Sequence, residues 1–226
     1  MKNYSFLLEI KKFNCKLSNK LLLSPKLVNS VFFTDRKIIS NPEKIFSKLP
    51  KNSAIIFREY DLPKDERKNL AQNLKEKNDK FSKKNCRFIV GKDFALAKKI
   101  KADGVHFSDA DKNILPFILQ KKSLPKNFIF SLAIHHEKSW ALVKKLQPDL
   151  VFFSPIYRSS SHISKSSIGT IKFSSLLIKN KYYCCNNKNS MPRIYALGGI
   201  KFSNIVNIRK LGIAGFGAIE LFKNFL

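Results

Sequence analysis

Two glycine groups and a set of polar residues at the ends of apolar runs are the parts of this sequence that could do chemistry. Gly198-Gly199 follows the run Arg193–Leu197, and Gly215-Phe216-Gly217 lies inside Ile213–Ala218. Without a Cβ, such residues let backbone N–H groups come close to an anion, and the N-terminus of a following helix adds to the attraction. The same glycines would equally serve tight turns, so their spacing leaves both uses open. Other polar residues gather where apolar runs stop. They are Asp35-Arg36, Arg58-Glu59-Tyr60, Gly91-Lys92-Asp93, Ser108 to Asp111, His135-His136, Pro155 to His162, and Gly217 to Glu220.

Regular elements must bring these ends together. The run Phe88 to Ser108, FIVGKDFALAKKIKADGVHFS, holds an apolar triplet, a turn, a short amphipathic segment and a second apolar run. That order is one βα unit entering the next parallel strand. The pattern recurs along the chain. Strands are expected at Ser30–Thr34, Ala54–Phe57, Arg87–Val90, Gly104–Phe107, Phe128–Ala133, Leu150–Ser154, Arg193–Leu197 and Ile213–Ala218. Helices are expected at Pro42–Lys48, Lys64–Lys77, Asp93–Lys101, Lys112–Lys121, His136–Leu146, Ile171–Lys179 and Phe202–Leu211. Several strands are unbroken apolar runs, as suits strands covered on both faces. Eight strand–helix units predict an α/β chain forming a single (β/α)8 barrel, whose chemistry would sit at the C-terminal strand ends. An open doubly wound sheet is the other candidate, but no Gly-rich turn follows the first strand. Residues 1–28 are read as a basic extension or a helix closing the barrel bottom, with the barrel over 29–226. Tyr182–Ser190 is read as a loop.

The charge points less clearly. Forty-three Lys and Arg residues against 16 Asp and Glu give a net +27, a balance that can mark a nucleic-acid or anionic-surface partner. Here the lysines are spread over nearly every helix and loop, without an aromatic-interleaved or zinc-finger signature, so a solvated surface is the preferred reading. A positive field of this kind would also draw in phosphorylated substrates. No run of 18 apolar residues is present and the start has no cleavage-site pattern, so a cytoplasmic protein without membrane contact is expected. Cys15, Cys86, Cys184 and Cys185 have no paired metal-ligand spacing and read as reduced thiols.

The ordered motifs are similar to those of the thiamine-phosphate synthase and thiazole tautomerase superfamily, over roughly residues 30 to 222. They are FFTDRK, IIFREY, FIVGKDFALA with KADGVHFSDAD, SLAIHHE, DLVFFSPIYRSSSH, YALGGIKFSN and GIAGFGAIELF. The resemblance implies the same barrel, small phosphorylated thiazole and pyrimidine molecules as partners, and a possible homo-oligomer. It implies thiamine biosynthesis by joining a pyrimidine-methyl diphosphate to a thiazole phosphate with loss of diphosphate. Such a site calls for Mg²⁺ and side-chain cations on the leaving group, and a cradle for the second phosphate.

Residue by residue, Arg58 falls on a diphosphate-binding Arg, and Asp93 and Asp111 fall at the metal side. Ser159, Ser161 and His162 fall on a hydroxyl-rich phosphate loop, and Gly198 and Gly199 on the phosphate cradle, to which Gly215 and Gly217 are added on spacing alone. The pattern departs at Ile56 and Tyr60, at Gly91 and Lys92 where an Asn-Asp pair is expected, at Ala133, and at Glu220 in place of Ser. A Lys92 nitrogen lying between Asp111 and Arg58 would remove the Mg²⁺ site. The tautomerase branch implies a different enzyme, free of metal, with His135 as general acid–base. A non-catalytic paralogue that binds a phosphorylated ligand is the third reading. His106 is expected to be structural, His136 to begin a helix, and Trp140 to lie in the core.

Overall fold

The computed structural model describes residues 28–81, 86–112, 114–158, 166–185 and 192–226. Eight parallel strands, each paired with the next and the last with the first, close into a barrel. They are β1 (Ser30–Phe33), β2 (Ser53–Phe57), β3 (Arg87–Gly91), β4 (Gly104–Ser108), β5 (Ile129–Ile134), β6 (Leu150–Phe153), β7 (Arg193–Leu197) and β8 (Gly215–Ala218). The helices between them are α1 (Glu43–Phe46), α2 (Lys64–Phe81), α3 (Phe94–Lys99), α4 (Leu115–Gln120), α5 (Trp140–Leu146), α6 (Gly169–Cys185) and α7 (Ile205–Lys210), and a 3₁₀ helix, Glu220–Phe225, follows β8.

Strand alternation divides the apolar residues into two cores. Val31, Phe33, Ala54, Ile56, Ile89, Ile129, Ala133, Leu150, Phe152 and Tyr195 form the inner cluster. Phe32, Ile55, Phe57, Phe88, Val90, Phe107, Phe130, Leu132, Val151 and Phe153 form the outer one, with helix residues such as Ala71, Leu74 and Phe173. Successive side chains of a strand point to opposite faces, so unbroken apolar strands fill both cores at once. On α2 the buried positions Arg67, Ala71, Leu74 and Asn78 recur every three or four residues, which is one helical face.

The N-terminal ends of the strands are stitched by aspartates. Asp103 Oδ2 accepts from Phe88 N at 2.8 Å, and Asp149 Oδ2 accepts from Phe130 N at 2.8 Å. The carbonyls of the same two residues accept from Ile129 N and Arg193 N. Each Asp therefore ties a strand start to both of its neighbours.

One expectation about the elements changes. Tyr182–Ser190 was expected to be a loop, but α6 runs through Cys185. The remainder of that segment, the extension before residue 28, and Ser159, Ser161 and His162 lie outside the described residues. Among the described residues, no helix is long and apolar enough to cross a membrane.

Gly215 is where β8 meets β1 most closely. A Cβ there would lie 2.1 Å from the Asn29 carbonyl oxygen, whereas a Cβ on Gly212, at φ +68, would touch nothing within 4 Å. Gly215→Ala is expected to cost about 2–3 kcal/mol through overpacking, and Gly212→Ala about 1 kcal/mol for its left-handed backbone. Urea midpoints of the two variants would check that order.

Candidate active site

The C-terminal strand ends enclose a cavity of about 370 Å³. Its walls include Phe33 from β1, Arg58 and Tyr60 after β2, and Lys92 after β3. His106, Ser108 and Asp111 come from β4 and its loop, and Ala133 and His135 from β5. Pro155 follows β6, Leu197, Gly198 and Gly199 end β7, and Ile219 and Glu220 follow β8. One concave site thus draws on all eight strand ends, as this architecture dictates.

The β2–β3 rim is organised by Arg67. Its guanidinium donates through Nη2 to Gly91 O at 2.6 Å, through Nε to Glu59 O at 3.1 Å, and through Nη1 to Asp93 Oδ2 at 3.3 Å. Asp93 Oδ1 accepts from Leu96 N at 2.8 Å and caps α3. Both oxygens of Asp93 are therefore engaged below the rim, and Asp93 is not among the residues lining the cavity.

Lys92, Tyr60 and Asp111 form the next layer. Lys92 Nζ is 2.9 Å from Asp111 Oδ1 and 4.8 Å from the Tyr60 ring centroid. The other oxygen, Asp111 Oδ2, accepts from Ser108 N at 2.7 Å. The phenol end of Tyr60 lies over Gly91, where a Cβ would come within 2.3 Å of the hydroxyl oxygen. Although 40% of the Tyr60 surface is open, desolvation of the hydroxyl, against the pull of Arg58, pushes its pKa up to about 12. Lys92 has φ +60, and its N–H donates to His106 O at 2.7 Å. Arg58 makes no ion pair among the described residues; its N–H donates to Thr34 Oγ1 at 3.0 Å.

Across the cavity, Asp109 positions His135. Asp109 Oδ1 is 2.6 Å from His135 Nδ1, while Oδ2 accepts from His135 N at 2.9 Å and from Ser139 Oγ at 2.6 Å. Desolvation would raise the Asp109 pKa, but the bonds from His135 and Ser139 outweigh it and hold the carboxyl well below the usual range. An ionised carboxylate only accepts, so Nδ1 carries a proton and Nε2 is the nitrogen left for the cavity. Asp109 was not singled out in the sequence. Its position at the end of β4, beside the end of β5, was the available signal.

His106 is buried between Phe33 and Phe152, with Nδ1 2.6 Å from Ser131 Oγ. Desolvation lowers its pKa to about 3, so the ring is neutral at ordinary pH, as its structural reading requires. Trp140 is buried in the outer core, and His136 precedes a 3₁₀ turn, Glu137–Ser139, rather than starting an α-helix.

The expected glycines divide. Gly198 and Gly199 line the cavity at φ +92 and +63, closely backed by Pro155 and Tyr157. Gly215 and Gly217, also expected at the cradle, pack inside the barrel. Gly215 packs on the Asn29 carbonyl, and a Cβ on Gly217 would lie 2.4 Å from the Phe33 ring. Both are absent from the cavity lining because they make room inside the barrel. After β6, Ile168 N–H donates to Pro155 O, so the chain returns beside the cavity after the segment holding Ser159, Ser161 and His162. Glu220 lies on the lining, 3.8 Å from Lys201 Nζ.

A family model described as thiamine monophosphate synthase matches residues 31–221. The chain belongs to this family. It is 31% identical to thiamine-phosphate synthase 1 of Streptococcus pneumoniae over 69% of this chain and 67% of that one. A thiamine-phosphate synthase of Hydrogenobaculum is 22% identical over 88% of this chain and 85% of its own length. The solved structure of a thiamine phosphate pyrophosphorylase from Pyrococcus furiosus superposes with a TM-score of 0.65 at 18% identity, covering 89% and 93% of the two chains, and supports the shared barrel.

Within this thiamine monophosphate synthase family member, the expected Mg²⁺ site was tested against the side chains present. Among the described residues, no three His, Cys, Asp or Glu side chains group to hold a metal ion. Asp93 is spent on Arg67 and the helix cap, and Asp111 on Lys92 and Ser108. At an effective dielectric constant near 20, a divalent ion about 3 Å from an ammonium is repelled by roughly 10 kcal/mol. The described residues therefore do not fit Mg²⁺ at Asp93 and Asp111.

His106 makes stability sensitive to acid. Its folded pKa lies below the unfolded value, so its contribution is complete above about pH 6.5 and is lost as pH falls toward about 3. The wild type is expected to lose up to about 1 kcal/mol per pH unit through this group. His106→Gln, which cannot titrate, should flatten that part of the curve in urea titrations at about pH 7 and about pH 4.

Proposed function

We propose that this chain acts in thiamine biosynthesis by joining a pyrimidine-methyl diphosphate to a thiazole phosphate, releasing diphosphate. The observation that carries this is the convergence of Arg58, Lys92, His135 and the Gly198-Gly199 turn on one cavity, in a chain of this family. In the reaction, the methylene C–O bond breaks and its electron pair leaves with the diphosphate. The thiazole nitrogen lone pair then forms the new C–N bond to the cationic methylene. Catalysis of such an ionisation depends on fixed positive charge at the departing oxygens.

Arg58 is suited to that role because no carboxylate among the described residues neutralises it. Gly198 and Gly199 offer bare backbone for the thiazole phosphate, joined in this proposal by Ser159, Ser161 and His162 from the loop after β6. Phe33, Ala133, Leu197, Ile200 and Ile219 supply apolar wall, which suits flat heterocycles and keeps water from the cationic methylene.

A second reading rests on the Asp109–His135 pair. A histidine held by a buried carboxylate, with Nε2 left for the cavity, is equipped for proton transfer on a thiazole carboxylate phosphate, the tautomerase reaction.

The test is a coupled assay of purified protein with both substrates, with and without Mg²⁺, reading thiamine phosphate by chromatography. Product is expected, and Arg58→Ala should lower kcat/KM by roughly 100-fold. Folded protein without product under either condition would overturn the synthase proposal. Conversion of the thiazole carboxylate phosphate, abolished by His135→Ala, would then establish the second.

A further inference from the structure

We propose that Lys92, fixed on Asp111, takes the place of a divalent ion, so that the cavity holds a diphosphate with side-chain cations alone. The inference rests on the synthase reading for the identity of the substrate, but its binding chemistry can be tested without turnover.

Three observations lead here independently. The first is the contact itself, with Lys92 Nζ 2.9 Å from Asp111 Oδ1 at the edge of the cavity. An ammonium has three donors and no acceptor. Asp111 occupies one direction and the Tyr60 face, 4.8 Å away, supports the charge from another. The remaining donor is available to an incoming oxyanion. Asp111 would repel a phosphate if it were bare, but its Oδ1 is covered by the ammonium and its Oδ2 by Ser108 N–H.

The second observation is the backbone. Lys92 is one of the few non-glycine residues with positive φ, at +60, and its N–H is tied to His106 O. Such a conformation is uncommon for a residue with a side chain. Here it sends the side chain inward over Tyr60.

The third is the steric dependence among these neighbours. Tyr60 can lie under Lys92 only because residue 91 has no Cβ, since one would come within 2.3 Å of the Tyr60 hydroxyl and 2.9 Å of Phe57 O. Gly91, Tyr60 and Lys92 are therefore one steric unit with the ammonium as its product.

The charge balance also fits an anion. The Lys92–Asp111 pair is neutral, and Arg58 lines the same cavity without an ion pair among the described residues. Arg58 supplies the net attraction and Lys92 a positioned donor. Because Lys92 is 47% exposed, the binding should weaken with salt.

The experiment is calorimetry with inorganic diphosphate, in EDTA and again with Mg²⁺, beside a Mn²⁺ titration read by electron paramagnetic resonance. The expected result is diphosphate binding in EDTA with no protein-bound Mn²⁺. Lys92→Met should weaken that binding by about tenfold or more, and Lys92→Arg should stay within about threefold of wild type. Binding that requires Mg²⁺ or Mn²⁺, or no binding at all, would overturn the proposal, and both arms use the wild type and so do not depend on a variant folding. Unchanged affinity in Lys92→Met, with its circular dichroism intact, would overturn it as well. Metal-free diphosphate binding without any thiamine phosphate product would instead leave this inference standing and remove the synthase reading.

Discussion

Closure of eight parallel strands into a cylinder of fixed width is the constraint on which the rest of this protein depends. Every second side chain must enter the cylinder, and the volume available does not change to suit it. Toward the middle the space is filled by Phe33, Phe152, Tyr195 and Ile56. That filling is tight enough that β8 can contribute only glycine at 215 and 217, one pressed on the Asn29 carbonyl and the other on the Phe33 ring. Near the C-terminal ends the inward residues become small or polar, with Gly91, Ser108, Ala133 and Gly198. The cavity exists because the filling stops there. The same packing thus explains both the plug beneath the site and the space above it.

What holds the rim in shape is a different force. Arg67 reaches from α2 beneath the loops after β2 and β3 and satisfies two carbonyls and a carboxylate with one planar group. Burying a guanidinium is costly unless its donors are met, and here three partners meet it. Because those partners flank Arg58, Tyr60 and Lys92 in sequence, the buried cation sets the positions of the exposed ones. Asp93, which the family resemblance set at the metal side, is bonded within this scaffold and does not line the cavity.

The architecture was legible because both cores are written in the same strands. Runs such as AIIF and FIV are apolar throughout, so strand limits in the sequence and in the structure differ by no more than two residues at either end. The end of helix α6 was harder, since the sequence from Tyr182 onward carries no apolar period that would distinguish helix from loop. The site was legible in part. Arg58, Asp111, His135, Gly198 and Gly199 line the cavity as read. Gly215 and Gly217 pack closely inside the barrel and off the lining, since glycine in a barrel strand marks close packing as readily as anion approach. Asp109 escaped notice because its significance lies in adjacency of β4 and β5, where the Ser108↔Ala133 register brings residue 109 beside His135. Such lateral contacts between neighbouring strand ends leave no local pattern in the chain.

Charge placement at the rim gives the clearest link between these layers. Lys92 could have been a surface lysine among the many in this chain, and its type alone says nothing. Its effect comes from the absence of a side chain at Gly91, which admits Tyr60, whose face then carries the ammonium to Asp111. A carboxylate at position 92 would lie against the Asp111 carboxylate, with Tyr60 still across the rim. A side chain at position 91 would drive into the Tyr60 hydroxyl and the Phe57 carbonyl. Positions 60, 91 and 92 therefore depend on one another, and the ammonium at the rim is a product of all three.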